Sequence, residues 1–147
     1  MSAETSAGTL FKISAGLPTT YNEAGFEALT FTEVGEITDY GEFGRKYNLV
    51  KHNPVATRKT VKRKGSYDSG SMTIPMALDN SDAGQAIMSA AANSDASHSI
   101  CIELKDGYKY YFTAQVMQFL IKVGSVDSIT QATAMLELDD DIVESAP

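Results

Sequence analysis

The stretch SICIELKDGYKYYFTAQV, Ser99–Val116, decides the fold because two alternating runs of apolar and polar residues flank one turn signal. In the first run, Ile100, Ile102 and Leu104 alternate with polar or small residues, which is the period-two pattern of a half-buried strand. The second run follows Asp106-Gly107, two residues that tolerate the positive φ angles of a type I′ turn. The sequence therefore predicts a β-hairpin in this stretch.

The second run changes phase near its end. Its apolar residues have even numbers as far as Val116, whereas Met117, Phe119 and Ile121 have odd numbers. One extra residue between positions 114 and 118 would produce this change, so the sequence predicts a β-bulge or sharp bend there. The alternative is a strand that passes from one sheet to another and buries opposite faces in turn.

The rest of the chain adds further strands and one helix. A stripe of small apolar residues over 82–93, with Asp82 able to cap it and Gln85 three residues later, predicts an α-helix. Pro75 lacks an N–H, which places its strand at a sheet edge or beside a bulge. The additional predicted strands cover Leu10–Ala15, Leu29–Tyr40, Tyr67–Leu78 and Ile129–Leu138.

Together these elements predict a mainly β protein: an antiparallel β-sandwich or barrel with one flanking α-helix and a long inter-strand loop. We expect one domain over 9–138, with a loose N-terminal arm over 1–8 and a loose C-terminal arm over 139–147. The loop is the irregular segment 41–65, and a loop of such length is usually functional or disordered.

Charge is unevenly distributed along the 147 residues, whose net charge is −7. The window from Arg45 to Lys64 has a charge of +8 and contains no acid, which leaves −15 for the other residues. This asymmetry indicates contact with an acidic partner, whereas the alternative is a solvated loop that contacts nothing. The basic residues of the window are Arg45, Lys46, Lys51, Arg58, Lys59, Lys62, Arg63 and Lys64.

Several functional classes lack their residues here. One cysteine cannot form an internal disulfide, and no apolar run or leader pattern predicts a membrane anchor or secretory signal. His98 and Cys101 fall on opposite faces of a predicted strand, and the acids at 139–141 lack the spacing of a calcium loop. We therefore expect a protein of the reducing cytoplasm that is not an enzyme and holds no cofactor or metal.

From about Gly8 to Leu138, the order and spacing of five segments resemble the major tail tube proteins of long, non-contractile-tailed bacteriophages. The resemblance implies a β-sandwich with one flanking helix that is shared with the tubes of contractile tails and type VI secretion. The segments are Gly8–Ile13, Phe31–Gly41, Phe43–Tyr47, Met72–Met76 and Asp82–Asn93.

What the resemblance implies about function is mechanical. Proteins of this family form hexameric rings that stack into a hollow tube, through which the genome passes into the host without specific binding. The expected partners are further copies of the chain and other tail proteins, such as tape measure, terminator and tail-tip components. The expected location is the virion tail, after synthesis in the host cytoplasm.

Two sets of residues are candidate sites in such a tube. Basic residues of the loop would grip the acidic surface of a neighbouring ring: Arg45, Lys46, Arg58, Lys59, Lys62, Arg63 and Lys64. Acids of the segment before the loop would line the lumen and repel DNA, although strand phase allows them to face outward: Glu33, Glu36, Asp39 and Glu42.

Two alternatives remain open from the sequence. A nucleic-acid-binding β-barrel would use the basic loop to contact phosphates, with aromatic residues stacked on bases. Tyr47 is the aromatic residue inside the basic window, and the rest of the chain is acidic. The other alternative is a tail-completion or secretion-tube relative that forms rings without long tubes.

Overall fold

The computed structural model describes residues 3–147, which form nine strands and two helices. Most strands belong to one antiparallel sheet, and two strands form a separate hairpin. In chain order the elements are β1 (Leu10–Ser14), α1 (Glu23–Glu27), β2 (Thr32–Glu33), β3 (Lys46–His52), β4 (Val61–Asp68), β5 (Ser71–Ala77), α2 (Ala83–Ala92), β6 (His98–Glu103), β7 (Lys109–Lys122), β8 (Gln131–Leu138) and β9 (Val143–Ser145).

The main sheet has the order β2-β1-β6-β7-β8-β5, with β9 paired to the first residues of β7. The chain that leaves β2 then reaches the opposite edge of the sheet. Ile37 forms a bridge with Met76 of β5, and the Thr38 amide donates to the Pro75 carbonyl at 3.0 Å. One short segment therefore contacts both edge strands, and the sheet is rolled like a barrel.

The core lies inside the rolled sheet, where α2 packs on its concave face. Alternate residues of β1, β5, β6, β7 and β8 point inward, as the period-two pattern predicts. Helix α2 contributes Met88 and Ala91, and both side chains are fully buried. The largest buried side chains of this core are Phe11, Ile13, Met72, Ile74, Met76, Met88, Ile100, Ile102, Phe112 and Leu136.

A second, smaller cluster covers the outer face of β6 and β7. Cys101 and Tyr111 lie on that face and pack against Phe26 of α1. The rings of Phe26 and Tyr111 stack with their centroids 5.3 Å apart. Strand β6 is therefore buried on both faces, which explains why its sequence places a cysteine opposite the isoleucine stripe.

The hairpin of β6 and β7 confirms the first prediction, although its turn differs in type. Gly107 has a positive φ of 96°, whereas Asp106 does not. The Leu104 amide donates to the Tyr108 carbonyl at 2.8 Å, so three residues form the turn. Asp106 accepts from the Tyr108 amide, which favours this three-residue turn over the two-residue type I′ turn.

The predicted β-bulge is also confirmed. Strand β7 stays paired with β8 along its second half, and the register shifts between Val116 and Gln118. Met117 is the extra residue, so Val116 and Phe119 both face the core despite their different parity. The alternative, a strand that changes sheets, is wrong because β7 pairs with β8 on both sides of the bulge.

Strand β5 is the last strand of the sheet order, as Pro75 predicts. Its outer edge is covered by the chain from position 36 to 44. The predicted strand Leu29–Tyr40 is shorter than expected, because only Thr32–Glu33 pairs as a strand. Glu36 has a positive φ of 63°, which interrupts extended backbone beyond that point.

Helix α2 begins after Asp82, whose carboxylate accepts from the backbone amide of Gln85 at 2.9 Å, as predicted. The Gln85 side chain does not complete a capping box, because it accepts from the Asp79 amide and donates to the carbonyls of Gly35 and Ala77. Gly84 lies where a Cβ would be 2.1 Å from the Glu33 carbonyl oxygen, so helix and sheet approach closely at this point. Helix α1 is an addition to the single predicted helix. It spans one turn, capped by Asn22, and is too short to produce a helical period in the sequence.

The predictions of two irregular regions are wrong. The segment 41–65 contains β3 and most of β4, which pair with each other as an antiparallel hairpin. The C-terminal residues are docked rather than loose, because Val143–Ser145 pairs with Lys109–Tyr111. Of the predicted N-terminal arm, residues 1 and 2 lie outside the described residues, and residues 3–8 are exposed.

Candidate assembly interface

Residues 45–68, which we call the basic hairpin, form a two-stranded sheet separate from the rest of the described chain, which we call the body. Every side chain of β3 is exposed, and only Val61 and Gly65 of β4 are partly buried. A hairpin with two solvated faces buries too little apolar surface to be stable alone. Its order must therefore depend on contacts at its base or with a partner.

The strand register determines where the predicted contact residues lie. Leu49 pairs with Lys64 and Lys51 with Lys62, so three lysines share one face of the hairpin. Arg63 pairs with Val50 on the opposite face, and Lys46 pairs with Asp68 near the base. Arg58 and Lys59 lie in the turn between the strands. The basic residues therefore surround the hairpin instead of forming one flat patch.

Two tyrosines occupy the base of the lysine-bearing face. Tyr47 and Tyr67 are register partners, and their ring centroids are 5.3 Å apart. The Lys64 ammonium lies 4.7 Å from the centre of the Tyr47 ring, and the Arg45 guanidinium lies 4.5 Å from that of Tyr67. One face of each tyrosine ring is therefore in contact with a cation from the same hairpin.

The base of the hairpin contacts the body through Asp141. Its carboxylate pairs with the Arg45 guanidinium at 3.3 Å and accepts a hydrogen bond from the Tyr67 hydroxyl at 3.0 Å. The hydrogen bond to Asp141 raises the pKa of Tyr67 above its ordinary value. The pKa of Arg45 is raised by its hydrogen bond to Tyr47 and then by the charge of Asp141.

The four candidate lumen acids are all exposed, and the structure spreads them along one segment. Glu33 lies on β2 as the register partner of Lys12, and the Glu36 carbonyl accepts from the Ala77 amide of β5. Asp39 accepts from the Gly41 amide, and Glu42 lines a groove beside Arg45. These acids are distributed along the segment that joins the two edges of the sheet.

A second exposed surface lies at the far end of β7 and β8, and sequence reasoning did not single it out. Strand β6 pairs with β7 as far as Ala114, so among residues 3–147 the same edge of β7 has no strand partner from Gln115 to Lys122. Large exposed apolar residues surround this open edge, and we call them the apolar tip: Met117, Leu120, Ile121, Val123, Val126 and Ile129. An open edge with exposed apolar side chains is a site for strand pairing with another chain.

The described residues also limit other kinds of site. Within residues 3–147, no three histidine, cysteine, aspartate or glutamate side chains are close enough to bind a metal ion. Burial raises the pKa of the Cys101 thiol to about 11, which opposes its use as a nucleophile. Neither α1 nor α2 in this part of the chain has the length and hydropathy that crossing a bilayer requires.

Two features of this interface were not predicted from the sequence. The hairpin strands carry polar residues on both faces, so the apolar alternation that reveals a strand is absent. Asp141 and Tyr67 are 74 residues apart, and no local spacing links them. The tyrosines at 47 and 67 and the valines at 50 and 61 are the signal of β-propensity that could have revealed the hairpin.

Solved structures similar to this chain come from tails and injection systems. A chain of the six-fold symmetrised anti-feeding prophage baseplate has a TM-score of 0.73 at 10% identity, covering 99% of this chain and 97% of that one. A chain of the gene transfer agent tail, solved with C6 symmetry, has a TM-score of 0.72 at 9% identity, covering 98% and 100%. The SPP1 tail tube has a TM-score of 0.65 at 11% identity, covering 95% of this chain and 77% of that one.

These similarities confirm the predicted mainly β fold and, at the level of fold, the resemblance to tail tube proteins. No protein-family model matches the chain, and no curated protein matches it by sequence. The similarity to these solved structures is therefore one of fold.

Proposed function

We propose that this chain, which has the fold of tail tube proteins, is a structural subunit of a virion tail and not an enzyme. Hexameric rings of the subunit stack into a hollow tube, and the tube conducts DNA into the host. The observation that carries the proposal is the similarity over nearly the whole chain to the C6-symmetric tail and the SPP1 tail tube. The other partners are tail proteins such as the tape measure, terminator and tail-tip components.

Ring closure is supported by the open edge of β7. Backbone groups of Gln115–Lys122 on that edge have no strand partner among residues 3–147, and the apolar tip is exposed beside them. Pairing this edge with a neighbouring subunit would satisfy the backbone groups and bury the apolar side chains together. A head-to-tail contact of this kind closes into a ring when its rotation matches the subunit number.

Stacking of rings is supported by the basic hairpin. The +8 charge of its residues 45–64 and the −15 of the other residues of the chain allow identical subunits to attract each other between rings. The hairpin buries little of its own surface, so it has side chains available for a neighbouring ring. In this proposal Arg45, Lys46, Arg58, Lys59, Lys62, Arg63 and Lys64 contact acids of the next ring.

DNA passage is the role proposed for the acidic segment. Glu33, Glu36, Asp39 and Glu42 are exposed and are proposed to face the lumen. Carboxylates repel the phosphate backbone, so DNA would move through without being held. A tube structure in which all four carboxylates point away from the bore would end this assignment.

The cation–π contacts weaken the nucleic-acid-binding alternative. Proteins that bind single strands without sequence preference use free aromatic faces on which bases stack. Lys64 covers the ring of Tyr47, and Arg45 covers that of Tyr67. One face of each ring is therefore unavailable to a base unless its cation is displaced.

Charge reversal within the hairpin tests the proposed stacking contact. The triple variant Arg58→Glu, Lys59→Glu and Arg63→Glu changes residues that lack hydrogen bonds from their side chains to the body among residues 3–147. We expect a folded subunit with wild-type circular dichroism that forms no tubes in negative-stain images. The charge-preserving variant Arg58→Lys, Lys59→Arg and Arg63→Lys is the matched control and should still form tubes.

Tubes of wild-type length from the reversed variant would contradict the role of the hairpin. Retention of the wild-type subunit on DNA at moderate salt, without rings or tubes, would favour the nucleic-acid-binding alternative. Rings that never stack would favour the tail-completion or secretion-tube relative.

A further inference from the structure

Each of the two connections between the basic hairpin and the body contains a glycine with positive φ. Gly44 has φ +145°, and a Cβ on it would meet nothing within 4 Å. Gly70 has φ +95°, and its nearest neighbour at that position is the Gly44 carbonyl oxygen at 3.4 Å. Glycine has the widest range of backbone angles, so Gly44 does not by itself hold the hairpin at one angle. Gly70 is more restricted, because its carbonyl accepts from the Leu138 amide at 3.0 Å and its amide donates to the Asp68 carboxylate at 3.1 Å.

The side chains that oppose this freedom meet at one carboxylate. Asp141 pairs with Arg45 at 3.3 Å and accepts from the Tyr67 hydroxyl at 3.0 Å, so it binds one residue on each side of the hairpin base. Among residues 3–147, two kinds of side-chain contact join the hairpin to the body: the contacts of Asp141, and one hydrogen bond within the second connection, from the Gly70 amide to the Asp68 carboxylate at 3.1 Å. The Arg45 guanidinium also lies over the Tyr67 ring, which links the two partners to each other.

Asp141 is itself held by the body. Its backbone carbonyl accepts from the Tyr21 hydroxyl at 2.5 Å, and its amide donates to the Asp140 carboxylate at 2.8 Å. Immediately beyond it, Ile142 packs against the main core and β9 pairs with β7. Because the backbone of Asp141 is fixed by the body, its side chain holds Arg45 and Tyr67 in a defined position relative to the body.

We infer that Asp141 is a positioning residue for the basic hairpin, and that the C-terminal segment sets the angle at which the hairpin leaves the body. The functional part of this inference rests on the proposed stacking role of the hairpin. A hairpin held at one angle presents its lysines to the next ring without an ordering cost at assembly, whereas a released hairpin must first be ordered. The C-terminal segment therefore prepares the subunit for stacking.

Hydrogen exchange on the unassembled subunit tests the positioning role directly. We compare Asp141→Ala with Asp127→Ala, which removes an equal charge from an exposed residue of the turn between β7 and β8, and with Arg45→Gln, which breaks the contact from the hairpin side. Loss of an exposed ion pair and one hydrogen bond should make the amides at the hairpin base exchange roughly five- to tenfold faster. The Asp141→Ala and Arg45→Gln double variant should accelerate exchange by less than the product of the two single effects, because the variants share the loss of the Arg45–Asp141 ion pair.

Unchanged exchange in Asp141→Ala, or an equal acceleration in Asp127→Ala, would overturn the inference whether or not tubes form. Amides of β6 serve as the internal standard, since they should exchange at wild-type rates in every variant. Tube formation is scored separately, and we expect fewer or shorter tubes from Asp141→Ala. A wild-type subunit that forms no tubes would defeat the proposed function while leaving the exchange result valid.

Discussion

The body and the basic hairpin are both antiparallel β-structure, yet different forces order them. In the body, alternate side chains of five strands are buried in one apolar core, and β6 is buried on both faces. In the hairpin nearly every side chain is exposed, and its contacts are charges, two tyrosines and one distant carboxylate. The body is therefore stable through its own packing, whereas the hairpin is suited to interaction with a partner.

This difference also explains the charges. Lys51 and Lys62 are direct cross-strand neighbours, which is an unfavourable pair in an isolated hairpin. In the body, by contrast, Lys12 and Lys109 both pair with Glu103 at 3.6 Å. Repulsive pairs that persist on an exposed element are consistent with a surface that meets acids of another subunit.

The largest expected effect contrasts two leucines. Leu136→Ala removes a fully buried side chain from the core and should lower the free energy of unfolding by about 2–5 kcal/mol. Leu49→Ala truncates a side chain of the hairpin that is 58% exposed, and should change the free energy of unfolding by less than about 0.5 kcal/mol. Urea unfolding followed by circular dichroism measures both, and equal losses would contradict the distinction between the two regions.

The next effect is a dependence of stability on pH that comes from the body. Burial raises the pKa of Cys101 from 9.0 to about 11, so between these values the folded chain retains a proton that the unfolded chain releases. Stability should therefore fall as pH rises through this window. Cys101→Ala should reduce that fall by about 2 kcal/mol, since each pKa unit corresponds to about 1.4 kcal/mol and nearby exposed charges weaken the effect.

Tyr67→Phe is the matched variant in the hairpin. The hydrogen bond to Asp141 raises the pKa of this tyrosine, but its side chain is exposed, so the slope of stability against pH should stay close to that of the wild type. Urea unfolding at a series of pH values measures each slope. A Cys101→Ala slope identical to that of the wild type would refute the contribution of the buried thiol.

The smallest effect concerns cross-strand charges within the hairpin. Lys51→Glu replaces a like-charge pair with an attractive one and should increase hairpin protection from hydrogen exchange by about 0.2–1 kcal/mol. Lys46→Glu does the reverse, because Lys46 lies opposite Asp68, and should decrease protection by a similar amount. Changes of the same sign in the two variants would show that the strand register does not determine which charges of the hairpin interact.

The contrast between the body and the basic hairpin also explains how much could be predicted from the sequence. Ile100 and Ile102 alternate because one face of their strand is buried, so the hairpin at 98–122 and its bulge could be predicted. Strands β3 and β4 have no buried face, and their residues therefore resemble a loop. The charge of the candidate contact was visible, but its shape and its Asp141 anchor required the fold, since contacts between distant residues leave no local pattern.

Cryo-electron microscopy of the purified wild-type chain at high concentration tests the central claim most directly. We expect tubes built of six-fold rings, with the open edge of β7 paired inside a ring and the basic hairpin in contact with acids of the next ring. Monomers that form no rings, or tubes in which the hairpin projects into solvent away from any neighbour, would contradict the account.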